Sequence, residues 1–248
     1  ALTGALRFAA GQEDLGIERV GIRVSTRTND VEVALWTNTG HFPRARVAQV
    51  VGESMSVKGL GVTRVLLKGS AKERKVAGVE SLRGRGAWNE VINGMNMLIS
   101  APSFFQVNTP GAEVLTRLVF EGLHPNGLDY MLDLYSGAGT FTLPLAHEAQ
   151  RVAAVESAGS SVRDLRRNLE RNKLDADVIG GDAARELSGL GASDKVVVDP
   201  PRSGLGEKAI QGLCASGAHA IAYVSCNPTT LARDLVQLQA GGYQVERV

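Results

Sequence analysis

The chain has 248 residues, 44% apolar and 21% charged, enough for one large or two modest domains with real cores and unlike a disordered chain. No apolar run is long enough to span a bilayer, and the opening ALTGALRFAAGQEDLG lacks a basic-then-apolar leader layout, so a soluble cytoplasmic protein is expected. The net charge is only +1, but residues 1–100 hold 14 Lys and Arg against 9 Asp and Glu, a net +5, and residues 101–248 hold 13 against 17, a net −4; a basic front suits an anionic partner.

In chain order, the front third reads as strands. Residues 20–25 (VGIRVS) and 31–36 (VEVALW) flank a polar stretch with Asn29-Asp30 in it, which predicts a hairpin. Residues 46–51, 62–68 and 96–100 are further predicted strands, and no helical periodicity of useful length precedes Thr109. The expectation for residues 1–102 is a small, mostly β, antiparallel domain. After Pro102 the pattern changes. Thr109 can cap a helix and Pro110 suits its first position, with Val114, Leu115, Leu118 and Val119 on one face. Short apolar strands then alternate with helices. The strands are 131–135, 151–156, 176–181, 195–199 and 220–225; the helices are 143–149, 158–172, 206–215 and 229–239. Near-continuous apolar strands point to a parallel sheet covered on both faces, so residues 103–248 read as a doubly wound α/β domain.

Ligands of such a sheet lie at the carboxyl ends of its strands. After the first strand comes Ser136-Gly137-Ala138-Gly139-Thr140-Phe141, after the second Glu156, after the third Asp182, after the fourth Asp199-Pro200-Pro201-Arg202, and after the fifth Cys226-Asn227-Pro228. Gly137 and Gly139 let the backbone approach a ligand closely. A nicotinamide-dinucleotide loop would want a third glycine where Thr142 stands, which disfavours a dehydrogenase. Glu156 is placed to accept hydrogen bonds from ribose hydroxyls, so loop, Glu156 and Asp182 suit a nucleoside-bearing cofactor.

Asp199 and its two prolines form a rigid acidic turn that can hold a base by its polar edge. Cys226, at a strand end before a helix N-terminus, occupies a position that favours thiolate. A thiolate adding to carbon 6 of a uracil makes carbon 5 nucleophilic toward a sulfonium methyl donor, which splits one hard step into easier ones. Cys214 reads as core filling. The two cysteines cannot build a disulfide framework or a four-thiolate cluster, and no metal is expected.

Five motifs together, Phe104-Phe105-Gln106-Val107-Asn108, Asp133-Leu134-Tyr135-Ser136-Gly137-Ala138-Gly139-Thr140-Phe141, Val155-Glu156, Asp199-Pro200-Pro201-Arg202 and Tyr223-Val224-Ser225-Cys226-Asn227-Pro228, resemble those of the RNA uracil-C5 methyltransferases. These S-adenosyl-L-methionine-dependent enzymes make 5-methyluridine in transfer and ribosomal RNA. The resemblance covers about residues 101–248. It implies a Rossmann-like class I methyltransferase domain preceded by a β-rich, RNA-contacting central domain. It also implies that Gln106, Tyr135, Thr140, Glu156 and Asp182 line the donor site, around the turn where Gly137 and Gly139 let the backbone bind the cofactor, that Asp199 lies between donor and target base, and that Cys226 is the nucleophile. The family's usual residues are Cys where Ser136 stands and Asn where Thr140 stands. Its general base is a Glu beyond a further hairpin, whereas this sequence reaches Val248 in what reads as the next strand (residues 244–248). A fragment without the amino-terminal RNA-binding barrel, the cluster cysteines and the extreme carboxyl end is therefore expected.

Two other readings compete: a methyltransferase acting on an exocyclic amine or a protein, which needs no thiolate, and a non-catalytic RNA-binding module. An RNA partner would make binding salt-sensitive, with Arg44, Arg46, Lys72, Arg74, Lys75, Arg83 and Arg85 as candidate phosphate contacts, and the target uridine would have to be splayed out to meet Cys226.

Overall fold

The computed structural model describes residues 2–11, 14–55, 57–70 and 73–248, so Lys72 lies outside the described residues. The chain divides into two compact units, Ala1–Val91 with Met97–Ser103, and Ile92–Asn96 with Phe104–Val248.

The first unit starts with α1 (Leu2–Ala10), then β1 (Ile17–Val24) and β2 (Val31–Thr37). The predicted hairpin is present: β1 and β2 are antiparallel, and Asn29 takes the left-handed conformation (φ 60°) in the turn. Next come α2 (Arg44–Ser54), β3 (Leu60–Lys68), β4 (Lys75–Arg83), β5 (Ala87–Ile92) and β6 (Met95–Ser100). Three expectations fail here. Residues 46–51 are helix, not strand. Val47 and Val51 are both fully buried at i, i+4 spacing, while Gln49, which a strand would put on their face, is exposed. Two helices precede Thr109, not none; α1 buries only Ala5 and Ala9, a stripe too small to stand out in sequence. The sheet, ordered β1-β2-β3-β4, is mixed rather than antiparallel, because α2 carries the chain back so that β3 runs parallel to β2. α1 and α2 cover one face of the sheet through Val33, Leu35, Val62, Val47 and Val51.

The second unit holds α3 (Thr109–Leu123), β7 (Tyr130–Leu134), α4 (Thr142–Glu148), β8 (Arg151–Glu156), α5 (Gly159–Asn172), β9 (Asp177–Gly180), α6 (Ala183–Glu186), β10 (Lys195–Val198), α7 (Glu207–Ala215), β11 (Ala220–Tyr223) and α8 (Pro228–Ala240). All five strands are parallel, in the order β11-β10-β7-β8-β9. Leu132, Leu134, Val196 and Val198 face α6, α7 and α8; Met131, Val152 and Val197 face α3 and α4. Such side chains each contribute about 1.5–3 kcal/mol when fully buried, and this layering makes the unit doubly wound. The cap of α3 is Asn108 rather than Thr109: the Asn108 side chain accepts from Gly111 N–H at 3.0 Å, and Thr109 is already helical. Residues 244–248 form no strand. Among the described residues no helix is long and apolar enough to cross a membrane.

Candidate active site

The order of strands fixes the order of their ends. β7 lies between β8 and β10, so the sheet reverses direction of winding there, and this is where such sheets bind ligands. Ladder bonds continue just past the strands: Asp199 N–H donates to Leu134 O (3.3 Å), Ser136 N–H to Val155 O (3.1 Å), Gly181 N–H to Glu156 O (3.0 Å) and Val224 N–H to Val198 O (2.8 Å). Along one edge of the sheet the chain therefore sets out, in sequence across the strands, the segment leading to Cys226, then Asp199, Tyr135, Glu156 and Asp182. With neighbouring strands about 4.8 Å apart, Asp199 and Glu156 flank Tyr135 across about 10 Å.

The turn after β7 is held by unusual backbone. Tyr135 (φ 64°), Gly137 (φ 57°) and Gly139 (φ 105°) are all left-handed. The two glycines differ. A Cβ on Gly139 would lie 2.3 Å from Leu143 Cδ1 and 2.7 Å from Leu165 Cδ1, so that glycine lets α4 and α5 close on the turn. A Cβ on Gly137 would meet nothing within 4 Å, which leaves its backbone open to a ligand. Asn168 Nδ2, fully buried, donates to Ala138 O at 3.0 Å and fixes the turn from below. Ser136 is buried, its hydroxyl 3.4 Å from Val155 O. Thr140 is half-buried beside it.

Glu156 accepts from Gly137 N–H (2.9 Å) and Ala158 N–H (2.6 Å), so the glycine turn and the start of α5 are tied to one carboxylate. Asp182 precedes α6 with an exposed side chain. Half-buried Tyr135 has its phenol pushed up first by burial and then by the charges of Asp182 and Asp234. Gln106 Nε2 donates to Asp199 Oδ2 at 3.3 Å. Burial pushes the Asp199 carboxyl up to about 6, against the pull of that Gln106 bond. In the same motif Phe105 is buried and anchors the segment, while Phe104 and Val107 are exposed.

Cys226 is exposed, in the short connection from β11 to α8. Asn227 caps α8 by accepting from Thr229 N–H, and its Nδ2 donates to Arg202 O at 3.1 Å. Cys214 is half-buried against the core that α6, α7 and α8 share.

Several groups at this edge escaped the sequence reading. Asp133, fully buried one residue before the end of β7, accepts from Thr142 Oγ1 at 2.5 Å, and its Oδ1 has no partner among the described residues. Its carboxyl is pushed up to about 7 by burial first, opposed by the Thr142 bond and reinforced by the charges of Asp199 and Glu156. Asp234, also fully buried, accepts from Leu205 N–H (2.6 Å), Tyr223 Oη (2.7 Å) and the Arg233 guanidinium (2.7 Å). Gly204, φ 75°, passes so close that a Cβ would lie 2.4 Å from Asp234 Oδ2. With Thr230 Oγ1 and Asn227 Nδ2 both on Arg202 O, these bonds clamp the Asp199-Pro200-Pro201-Arg202 turn to the first turns of α8. Asp133 opens the Asp133–Phe141 motif, and a carboxylate inside an apolar strand is itself a sequence signal. Asp234 reads in sequence as an ordinary helix-surface carboxylate.

A groove of about 760 Å³ runs along β11 between α3 and α8, lined largely by aliphatic side chains such as Leu118, Leu235 and Leu238. None of the predicted site residues lines it. No cluster of three or more metal-ligating side chains occurs among the described residues.

A doubly wound sheet with a glycine turn, acidic strand ends and a thiol on one edge is the architecture of a class I methyltransferase domain. The family model described as tRNA (Uracil-5-)-methyltransferase matches residues 91–194 and 191–248, and the chain belongs to that family. An uncharacterized RNA methyltransferase of Streptomyces avermitilis is 36% identical over 179 residues, 70% of this chain and 41% of that protein. One from Gloeobacter violaceus is 40% identical over 163 residues, 65% of this chain and 35% of that protein. The chain thus spans about two fifths of the length of these relatives. The crystal structure of Pyrococcus abyssi tRNA (uracil-54, C5)-methyltransferase in complex with S-adenosyl-L-homocysteine is similar over 95% of this chain and 56% of that one, with a TM-score of 0.74 and 28% identity.

Proposed function

We propose that this chain carries the S-adenosyl-L-methionine site and the nucleophile of an RNA uracil-C5 methyltransferase that works on tRNA or rRNA in the cytoplasm. The observation that carries the reading is the single line of Cys226, Asp199, Tyr135, Glu156 and Asp182 along one sheet edge, at the point where winding reverses. The residues there fit the cofactor. The space above Gly137 would be filled by any Cβ. Glu156 keeps lone pairs for ribose hydroxyls beyond its two backbone donors, and Asp182, Tyr135, Thr140 and Gln106 complete the lining. The pairing with the S-adenosyl-L-homocysteine-bound relative supports the same choice.

When bound, the cofactor supplies an electrophilic methyl group. Cys226 Sγ, as thiolate, bonds to carbon 6 of the uracil, and the electron pair of the carbon 5–carbon 6 double bond moves toward carbon 5 and oxygen 4. Asp199, held by Gln106 and by the clamped proline turn, accepts from the uracil N3–H and keeps the ring in register. Once carbon 5 carries the methyl group, a general base (a Glu in the family the motifs resemble) takes the carbon 5 proton, the freed electron pair restores the carbon 5–carbon 6 double bond, and the thiolate leaves carbon 6. Cys226 is exposed, so a uridine must leave its stack to reach it. The first unit, net basic over residues 1–100, is assigned to RNA contact.

Denaturing mass spectrometry after mixing the chain with cofactor and a 5-fluorouridine RNA tests this. Fluorine cannot leave carbon 5 as a proton does, so a cofactor-dependent adduct on Cys226 is expected to persist. Bound RNA and cofactor without an adduct would favour methylation of an amine or a purely RNA-binding role.

A further inference from the structure

Of the candidate phosphate contacts in the first unit, Arg44 is paired with Glu80, Arg74 with Glu18, and Arg46 donates to Phe8 O at 2.9 Å and stacks over the Phe8 ring. Lys75, Arg83 and Arg85 are exposed. Two arginines outside that set are ordered differently. Arg19 and Arg23 stand four residues apart on β1, on the same face of the sheet. The Arg19 guanidinium lies 3.8 Å from the centroid of Trp36, and that of Arg23 lies 5.4 Å from the centroid of Trp88. Gly21 lies between them, where a Cβ would come within 2.8 Å of the Trp36 ring, so the bare backbone lets the indole slide under the strand.

Neither guanidinium has an ion pair or hydrogen bond to another described residue. The carboxylate across the ladder from Arg23 is Glu32, and it turns away: one oxygen takes the Thr63 hydroxyl and the other is buried without a partner among the described residues. Burial, then the Arg19 charge, pushes Arg23 down from the usual arginine range. Two like charges are thus held along one strand face with no ion-pair or hydrogen-bond partner among the described residues, each over an indole ring. A stacked guanidinium loses little rotamer entropy when it binds, and its planar fork matches phosphate. Four strand residues span about 13 Å, which suits a chain of phosphates better than a single anion.

We propose that Arg19 and Arg23, stacked on Trp36 and Trp88, form a strip on the first unit that binds the phosphate backbone of a single-stranded segment of the substrate RNA. The strip rests on the reading of this chain as part of an RNA methyltransferase. The alternative is that the arginines only shield the two indoles from water.

Binding of an end-labelled, uridine-containing single-stranded RNA, measured across a salt series, decides between them. The variants are R19Q/R23Q, R19K/R23K and, as a control removing the same charge from exposed positions elsewhere on the first unit, K58Q/K68Q. For R19Q/R23Q we expect about a tenfold loss of affinity and a fall of about 1.4 in the slope of log K against log salt, ~0.7 for each phosphate that is no longer neutralised. R19K/R23K keeps the charge without the fork and should fall between wild type and R19Q/R23Q; it also carries the test if R19Q/R23Q does not fold. K58Q/K68Q should stay within about threefold of wild type. If wild type binds RNA and the R19Q/R23Q and R19K/R23K proteins bind it equally well with unchanged slope, the strip is a cover for the indoles and the proposal falls while the methyltransferase reading stands. If wild type binds no RNA, both fall.

Discussion

In the first unit, Glu32 and Arg64 sit inside the sheet itself, at 0% and 2% exposure, and Arg64 spends its donors on Thr37, Asn38 O, Gly40 O and Glu80. In the second unit the strand interiors are aliphatic. Of its buried carboxylates, Asp133, near the end of β7, and Asp234 lie toward the carboxyl ends of the strands and Asp164 on α5, with Lys195 and Asp129 paired at the opposite edge. Buried polarity thus ties strands together in one sheet, and in the other it stiffens the rim where a ligand would sit. Fully satisfied polar groups fix a unique arrangement, and unsatisfied ones raise the cost of the charged form.

Substitutions should break this contrast in different ways. The largest effect belongs to the rim. Cys226→Ser should abolish the 5-fluorouridine adduct, and because the side chain is exposed, it should leave thermal stability within about 0.5 kcal/mol of wild type. Gly139→Ala and Gly137→Ala separate the two duties of the glycine turn. The first should cost roughly 2–4 kcal/mol by driving a Cβ into Leu143 and Leu165 at a left-handed position. The second should cost about 1 kcal/mol of backbone strain and should show its main effect in calorimetric titration as weaker cofactor binding.

The sequence made much of the second unit readable and much of the first obscure, and burial explains why. Strands such as RVAAVE and KVVV are covered on both faces, so their apolar runs advertise them, and α5 between them carries Val162, Leu165 and Leu169 at helical spacing. The strand ends follow from that, and with them the candidate site. In the first unit, β4 is exposed along most of its length and gives no alternation to read, while α2 is a helix whose two buried valines sit in a run that suits a strand equally well. The Asp234 clamp was out of reach because it depends on two turns meeting, Leu205 on one and Arg233 on the other. Arg19 and Arg23 were indistinguishable from solvated charge until the tryptophans were seen beneath them.

Smaller effects should appear with pH. Burial raises Glu32 from 4.5 to about 7, with the Thr63 bond opposing and the charge of Asp30 adding to it. Folding therefore favours its protonated form; that contribution is complete below about 4.5 and is lost as pH rises through about 7. Glu32→Gln should make the first unit more stable at alkaline pH, by on the order of 3 kcal/mol, and flatten its pH dependence, as urea melts at several pH values would reveal. A Glu32→Gln protein with the same pH dependence as wild type would show that this carboxylate is not the group responsible. At the rim, Asp199 must be ionised to accept from uracil, so methyl transfer should fall as pH drops through about 6. Gln106→Leu removes the bond that holds Asp199 down, and the acid limb of the pH–rate profile should move upward by a fraction of a unit.

The tryptophans have a further use. Both of the chain's tryptophans lie in the first unit, and all four tyrosines, at positions 130, 135, 223 and 243, lie in the second. Indole emission excited beyond the phenol band therefore reports on the first unit alone in the unlabelled protein. A melting curve by that emission that coincides with one by far-ultraviolet dichroism, which reads both units, would show one cooperative body, and curves that part would show the units lost separately.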